Sequence, residues 1–553
     1  MASQSEGIRR ADLLDLPDEL ILHIFDHATV TNETLYTLSQ VCKRLHELCL
    51  GICYGRFNLK NPQKHAKVAI SANPDRVDAL SILDISLKVV TLERLVCKFP
   101  TCEDDLPSLI RCVHRAANFV ARLQSIGKVI LVFSNESCCC CGKNNSKPKL
   151  EDGILHDWSA AMGRLMNTIL ERSCHALVVK GGRYLGHLFA FRRTRPSQTK
   201  FLNPIEAVKT FFTNSKSGEV IEDVKRAPRV TRGDNWEFKQ AAQHRVSLVL
   251  TDVSPLARDG SKLRSLTIQS MMFLMPPLLQ WTISAMQYSK LENLTLGSLS
   301  INYKCWPAIF ALLERAAPDL LELSLTKLRQ IDPGDLLKFL GRFPKLTSLT
   351  IHHEVESVDS YNLGPFPDFP KLISLHAPAS WVFKLLSAHQ RGLECLEYLC
   401  ITYRLRNDGL SHWLRQCPNP SIPSLLGDQL RPLTLCLEVR LGDSPAWKMF
   451  QDIDAEPSQS QKSCLELVSS ISLLVEEEFA KSDMPLLTVL PKWLSMFPAV
   501  RFLTISGHNS AIDGMDLFES LIAIVKAKKL HLQSLDVNGK EAEFVRSSSK
   551  SSS

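Results

Sequence analysis

The sequence predicts an α/β chain, with a short helical module at the N-terminus and a long, irregular solenoid of strand–helix repeats behind it. Three observations predict it. Residues 12–57 carry leucine-studded amphipathic stripes in a segment too short to be stable alone. The pattern Leu-x-x-Leu-x-Leu recurs in the middle of the chain at intervals of 24 to 29 residues. Helix-like stretches fill those intervals and stop near proline or glycine.

The elements follow in order. Residues 1–11 have no apolar run, so they read as a disordered N-terminus and not as a secretory signal. Asp15 can cap a helix that begins at Leu16-Pro17, because a first-turn proline lacks only an N–H that has no acceptor there. Asp18 and Glu19 then sit where the helix dipole favours negative charge. Leu20, Ile21, Ile24 and Phe25 follow at helical spacing. Asn32 is placed to cap a second helix with a stripe of Leu35, Leu38, Val41, Cys42, Leu45 and Leu48.

Leu16-Pro17-x-Glu19-Leu20, Ile24-Phe25 and Leu38-Ser39-x-Val41-Cys42-Lys43-Arg44-Leu45 together resemble an F-box. That family docks onto the Skp-type adaptor of SCF ubiquitin ligases. The resemblance spans residues 12–57 and implies adaptor contacts from Leu16, Pro17, Leu20, Ile24, Phe25, Leu38, Val41, Cys42 and Leu45. Through the adaptor it implies a cullin scaffold and a RING subunit. Leu45 stands where the family often has an aromatic residue, and the loop HATVTN is poor in leucine.

The repeats begin with two near-identical phrases, SKLRSLTIQS at 261–270 and SKLENLTLGS at 289–298. The template runs through Leu263/Leu266/Ile268, Leu291/Leu294/Leu296, Leu320/Leu323/Leu325, Leu346/Leu349/Ile351, Leu372/Leu375/Ala377 and Leu396/Leu399/Ile401. Weaker copies stand at Leu80/Leu83/Ile85, Val500/Leu503/Ile505 and Leu532/Leu535/Val537. This spacing resembles leucine-rich repeats, so the expected architecture is an N-terminal helical F-box followed by an irregular leucine-rich-repeat solenoid. The array is expected over residues 70–540, with insertions near 134–153, 181–245 and 443–463. Residues 541–553, ending RSSSKSSS, are expected to be a disordered tail. Met271, Leu299, Leu328 and Glu354 occupy the usual Asn or Cys position, which argues against regular curvature.

Within each repeat strand the leucines alternate with residues that must face the other side. Those are mostly small: Ser265/Thr267/Gln269, Asn293/Thr295/Gly297, Glu322/Ser324/Thr326, Ser348/Thr350/His352, Ser374/His376/Pro378 and Tyr398/Cys400/Thr402. Binding hot spots favour Trp, Tyr and Arg, so target recognition is expected on insertions instead.

Charge points to one of them. Residues 181–245 hold 13 Lys+Arg against 6 Asp+Glu, an excess equal to the whole chain's net charge of +7. Arg192, Arg193, Arg195, Lys225, Arg226, Arg229 and Arg232 are its candidate substrate-binding residues. A solvated insertion is the plainer reading of this block. A surface for an acidic or phosphorylated protein is the functional one, since arginine forks match phosphate oxygens. Nucleic acid fits less well, because no recognised binding motif accompanies the charge.

Other chemistry is not indicated. Seventeen scattered cysteines read as small buried residues of a reducing compartment. Cys138 to Cys141 include a single C-x-x-C, with Cys112, His114 and His156 as the remaining candidate ligands, and zinc usually takes two such knuckles. No metal, no cofactor and no nucleotide loop is expected, and no catalytic constellation appears. The apolar stretch 271–286 is broken by Pro276, Pro277 and Gln280, so no membrane span is expected. The expectation is a cytoplasmic or nuclear, non-catalytic substrate-recognition subunit of an SCF-type E3 ligase. The alternative is a repeat-based interaction scaffold that works outside any ligase.

Overall fold

A computed structural model of the chain describes residues 16–26, 30–73, 75–100, 106–134, 152–182, 189–193, 236–240, 248–249, 256–257, 260–275, 277–299, 301, 306–328, 331–352, 367–388, 393, 395–404, 434–441, 466, 468–475, 490–491, 493–507, 515–527 and 531–544. It is a mixed α/β structure of two compact units. One is Met1–Leu291 with Arg315–Ala317; the other is Glu292–Glu314 with Pro318–Ser553.

The first unit opens with three helices, α1 (Asp18–Asp26), α2 (Asn32–Leu38) and α3 (Lys43–Arg56). The expected second helix is therefore two. Ser39 closes α2 with a backbone N–H to Leu35, and Cys42 turns to an extended φ of −153° before α3 begins. Thr31, not Asn32, caps α2, because its hydroxyl accepts the Thr34 N–H. Helix α1 starts at Asp18, so Leu16 and Pro17 precede it, and the Pro17 carbonyl accepts its first N–H groups, from Leu20 and Ile21. Asp15 lies outside the described residues.

Strand β1 (His65–Ala69), α4 (Ala79–Ile85), β2 (Thr91–Lys98), α5 (Leu106–Arg122), β3 (Ser125–Val132), α6 (Asp152–Glu171) and β4 (Ala176–Lys180) follow. The strands pair in parallel in that order. Here the Leu80/Leu83/Ile85 copy proves to be helix α4, not a strand. Asp78 and Ser81 form a reciprocal capping box at its start, and Leu80, Ile82 and Leu83 are buried. The true copies nearby use other apolar residues: Leu92/Leu95/Cys97, Ile126/Val129/Leu131 and Cys174/Leu177/Val179, all buried. Their register aligns Leu95 with Val129 and Val129 with Leu177. The array accordingly starts at His65, before residue 70.

Strand β4 pairs directly with Ser265–Gln269, the first strand of the Leu-x-x-Leu series. Between them, β5 (Phe189–Arg193), β6 (Trp236–Gln240) and β7 (Leu248–Val249) make a separate antiparallel sheet. With Ser265–Gln269 as β8, the unit ends in α7 (Leu279–Tyr288), whose Trp281 indole donates to Asn167 in α6. No described helix is long and apolar enough to cross a membrane.

The second unit continues the strand–helix alternation: β9 (Asn293–Gly297), α8 (Trp306–Ala316), β10 (Glu322–Thr326), α9 (Pro333–Leu340), β11 (Ser348–Ile351), β12 (Ser374–Pro378), α10 (Ala379–Ala388) and β13 (Tyr398–Arg404). Then come β14 (Thr434–Leu441), β15 (Val468–Val475), β16 (Phe502–Gly507), α11 (Met515–Ala527), β17 (Ser534–Val537) and β18 (Lys540–Glu543). Register aligns Leu294, Leu323, Leu349, Leu375, Leu399 and Leu435 in one buried row. Such a row is what identical apolar positions on parallel strands produce. Strand β15 lacked a clear leucine signature, since Val468 and Ile471 replace leucine.

The parallel run ends at a hairpin. Asn538 and Gly539 both take positive φ, 50° and 83°, the two-residue turn that reverses the chain into antiparallel β18. Residues 541–543 are thus strand, which corrects the start of the expected tail. Its remainder, 545–553, lies outside the described residues, as do 135–151 and 443–463 of the expected insertions.

Candidate docking surface

The three N-terminal helices share one small core of Ile21, Phe25, Leu35, Leu45, Cys49, Leu50 and Cys53, completed by Ile82 of α4. The neighbouring helix supplies what a segment this short lacks, an apolar surface to bury against. Tyr54 reinforces that contact by donating to the Ser86 hydroxyl at 2.6 Å. Burial pushes the Cys49 and Cys53 thiols up to about 11, so both act as small apolar side chains.

Two arginines of α3 pin the chain leading into α1 and α2. Arg44 donates to the Leu16 carbonyl at 2.5 Å and pairs with Asp18 at 2.6 Å, which fixes the Leu16-Pro17 entry. Arg56 donates to the carbonyls of Val30 and Phe25 and to the Asn32 side chain, tying the end of α1 to the start of α2. Charged donors on carbonyls are among the stronger hydrogen bonds. Arg44 falls inside the motif read from sequence; the role of Arg56 had no sequence signal, because its partners are 24 to 31 residues away.

The residues singled out from sequence divide into three groups. Pro17, Leu20, Ile24 and Val41 are exposed, the last three at 50%, 43% and 64%. Leu16, Leu38 and Cys42 are half-buried against the core. Phe25 and Leu45 are each 3% exposed and lie inside the core, where any contribution to docking is indirect. The division on α1 follows from helix geometry. Ile21 and Phe25, four apart, point inward; Leu20 and Ile24, also four apart, occupy the adjacent face and point out. Leu22, 37% exposed, is a further apolar residue that the sequence reading passed over. Large apolar side chains left exposed on a module whose core is complete are a feature of interaction surfaces.

An F-box-like family model matches residues 13–56, so the N-terminal module is an F-box-like domain. Domains of this kind generally bind Skp-type adaptors. No curated protein matches the chain.

In the basic block, the structure describes the backbone of Arg192 and Arg193, at the end of β5. Register places Arg192 opposite Glu237 and Arg193 opposite Trp236. Arg195, Lys225, Arg226, Arg229 and Arg232 lie outside the described residues, as do Cys138 to Cys141. Of the helpers weighed with that cysteine run, Cys112 is buried and within hydrogen-bonding distance of the Ser71 carbonyl, while His156 is exposed beside Asp157.

Proposed function

We propose that this chain is the substrate receptor of an SCF-type E3 ubiquitin ligase, holding a Skp-type adaptor through its F-box-like domain and, through it, cullin and RING subunits. The observation that carries the reading is the exposed face of α1. Pro17, Leu20 and Ile24 stay in solvent on a module whose own core is filled, the pattern of an amphipathic helix that docks into a groove. Covering Leu20, Ile24 and Val41 would contribute roughly 1 kcal/mol each, half the value of full burial. The parallel strand–helix array would act as an irregular leucine-rich-repeat platform for the target. Such a receptor needs no nucleophile. It accelerates ubiquitin transfer by raising the local concentration of its target near the loaded carrier.

Target capture would fall to the basic block 181–245, whose excess charge suits an acidic or phosphorylated protein. Reversing charge at Arg192, Arg193 and Arg195 should weaken capture and leave adaptor binding intact. Added salt should weaken the wild-type complex in the same direction.

The adaptor test is co-purification of the full chain with a Skp-type adaptor, comparing wild type with a Leu20→Ala/Ile24→Ala variant. Loss of adaptor with unchanged thermal unfolding is expected. Undiminished co-purification would remove the docking assignment, and adaptor without cullin would favour a scaffold acting outside a ligase.

A further inference from the structure

One cluster in the second unit is unlike the rest of its sheet face. Over β9 to β11 the residues between the buried leucines are small and mostly uncharged: Thr295, Ser324 and Thr350 stand side by side across the three strands. Continuing the same row across β12, β13 and β14 gives His376, Cys400 and Cys436, each the direct Cα partner of the next. Glu438 follows Cys436 by two residues and so faces the same side of β14.

Three of these side chains converge, and Cys436 stands directly beside one of them, as the Cα partner of Cys400. Glu438 Oε2 lies 3.2 Å from His376 Nε2, and one donor atom from each of His376, Cys400 and Glu438 lies within 4.8 Å of the others. Cys400 and Cys436 are opposed residues on adjacent parallel strands, with their thiols on the same face of the sheet. Both cysteines are nearly enclosed, 3% and 5% exposed, although they lie on the face opposite the leucine row.

Two further observations mark the place. The β14–β15 register slips between Leu435 and Cys436, with Ser469 as the extra residue in β15. Bulges of this kind re-aim a neighbouring side chain and recur beside functional sites. Thr402, the Cα partner of Glu438, is 2% exposed, and its hydroxyl has no hydrogen-bond partner among the described residues. A buried hydroxyl without a partner is costly, and one beside the cluster marks a place where a polar group is left unsatisfied.

We propose that His376, Cys400, Cys436 and Glu438 form a zinc site that clamps β12, β13 and β14 together. Two thiolates, an imidazole and a carboxylate are a zinc donor set, and soft thiolates disfavour magnesium and calcium. Tetrahedral zinc places its donor atoms about 3.3–3.8 Å apart, given arms of about 2.0–2.3 Å. The His376, Cys400 and Glu438 donor atoms, already within 4.8 Å of one another, need only small side-chain movements to close to that size, and a rotation of the Cys436 side chain would supply the fourth donor. Binding would release the thiol protons to solvent, and four protein donors would leave no open position, so the site is structural. It is independent of the adaptor reading and of the Cys138–Cys141 run.

The experiment uses the full chain, produced with zinc and purified without chelator. Metal analysis should find about one zinc per chain, the stoichiometry of a single closed site. Cobalt substitution should give the absorption of thiolate-bound cobalt. A Cys400→Ser/Cys436→Ser variant should lose both signals, and Cys138→Ser/Cys141→Ser should keep both. Should the first variant fail to fold, Glu438→Gln serves instead and should release zinc to a competing chelator at lower chelator concentration than wild type. Zinc absent from wild type, zinc retained after both thiols are replaced, or a Cys400–Cys436 disulfide in the purified protein would each overturn the proposal.

Discussion

The N-terminal helices and the strand array both begin from leucine-rich sequence and use it in opposite ways. In the array, each Leu-x-x-Leu-x-Leu segment buries its leucines in rows that run from strand to strand, and neighbouring repeats cover one another. In the N-terminal module the apolar residues split: Ile21, Phe25, Leu35 and Leu45 build a core while Leu20, Ile24 and Val41 remain exposed. A repeat always has a neighbour to bury against, whereas three short helices have surface left over. Apolar residues are therefore buried along the rows of the array, and divided between core and surface in the helical module.

Substitutions can break that contrast. The largest effect expected is from Phe25→Ala, which empties the centre of the helical module. It should cost about 3–5 kcal/mol locally and abolish adaptor binding without removing an exposed contact. Hydrogen exchange confined to α1–α3 would report it. Next, Leu349→Ala in β11 should cost about 2–5 kcal/mol in urea unfolding of the full chain and leave adaptor affinity unchanged. Arg56→Ala removes the contacts that join α1 to α2, and a loss of about 1–2 kcal/mol is expected because the guanidinium is bound at three acceptors. Thr31→Ala should cost about 1 kcal/mol by leaving the Thr34 N–H uncapped. The smallest effect on folding should come from Leu20→Ala, within about 0.5 kcal/mol. Its effect on adaptor affinity, about five- to tenfold, is the one that matters. If Leu20→Ala destabilises the fold as much as Leu349→Ala, the division between binding and stabilising leucines fails.

Much of this was legible in local pattern. The helices at 306–316, 333–340, 379–388 and 515–527 show apolar residues at helical spacing and stop near punctuating residues. The strands at 265–269 through 398–404 show their leucines openly. The pattern misled where two structures share it. Leu80/Leu83/Ile85 fits the strand template and the helical one equally, and the Asp78–Ser81 capping box decided for helix. It was silent where Ile, Val or Cys replaced leucine, as in β3 and β4, since apolar size is what the row requires and not leucine itself. The split between α2 and α3 also escaped, because Leu38, Val41 and Leu45 keep helical spacing across the break.

By itself, then, the sequence determined which segments alternate apolar and polar residues, where the F-box-like motif lies and where the basic charge collects. Those are properties of neighbours along the chain, set by the periods of helix and strand. Only the tertiary structure decided which apolar residues of α1 face solvent, because that depends on α3 covering one side of it. It alone brought His376, Cys400, Cys436 and Glu438 together, since residues 24 and 36 positions apart become direct neighbours only through parallel pairing of β12, β13 and β14. Sequence spacing shows a metal site when its ligands share a turn; a site assembled across strands is written in the register.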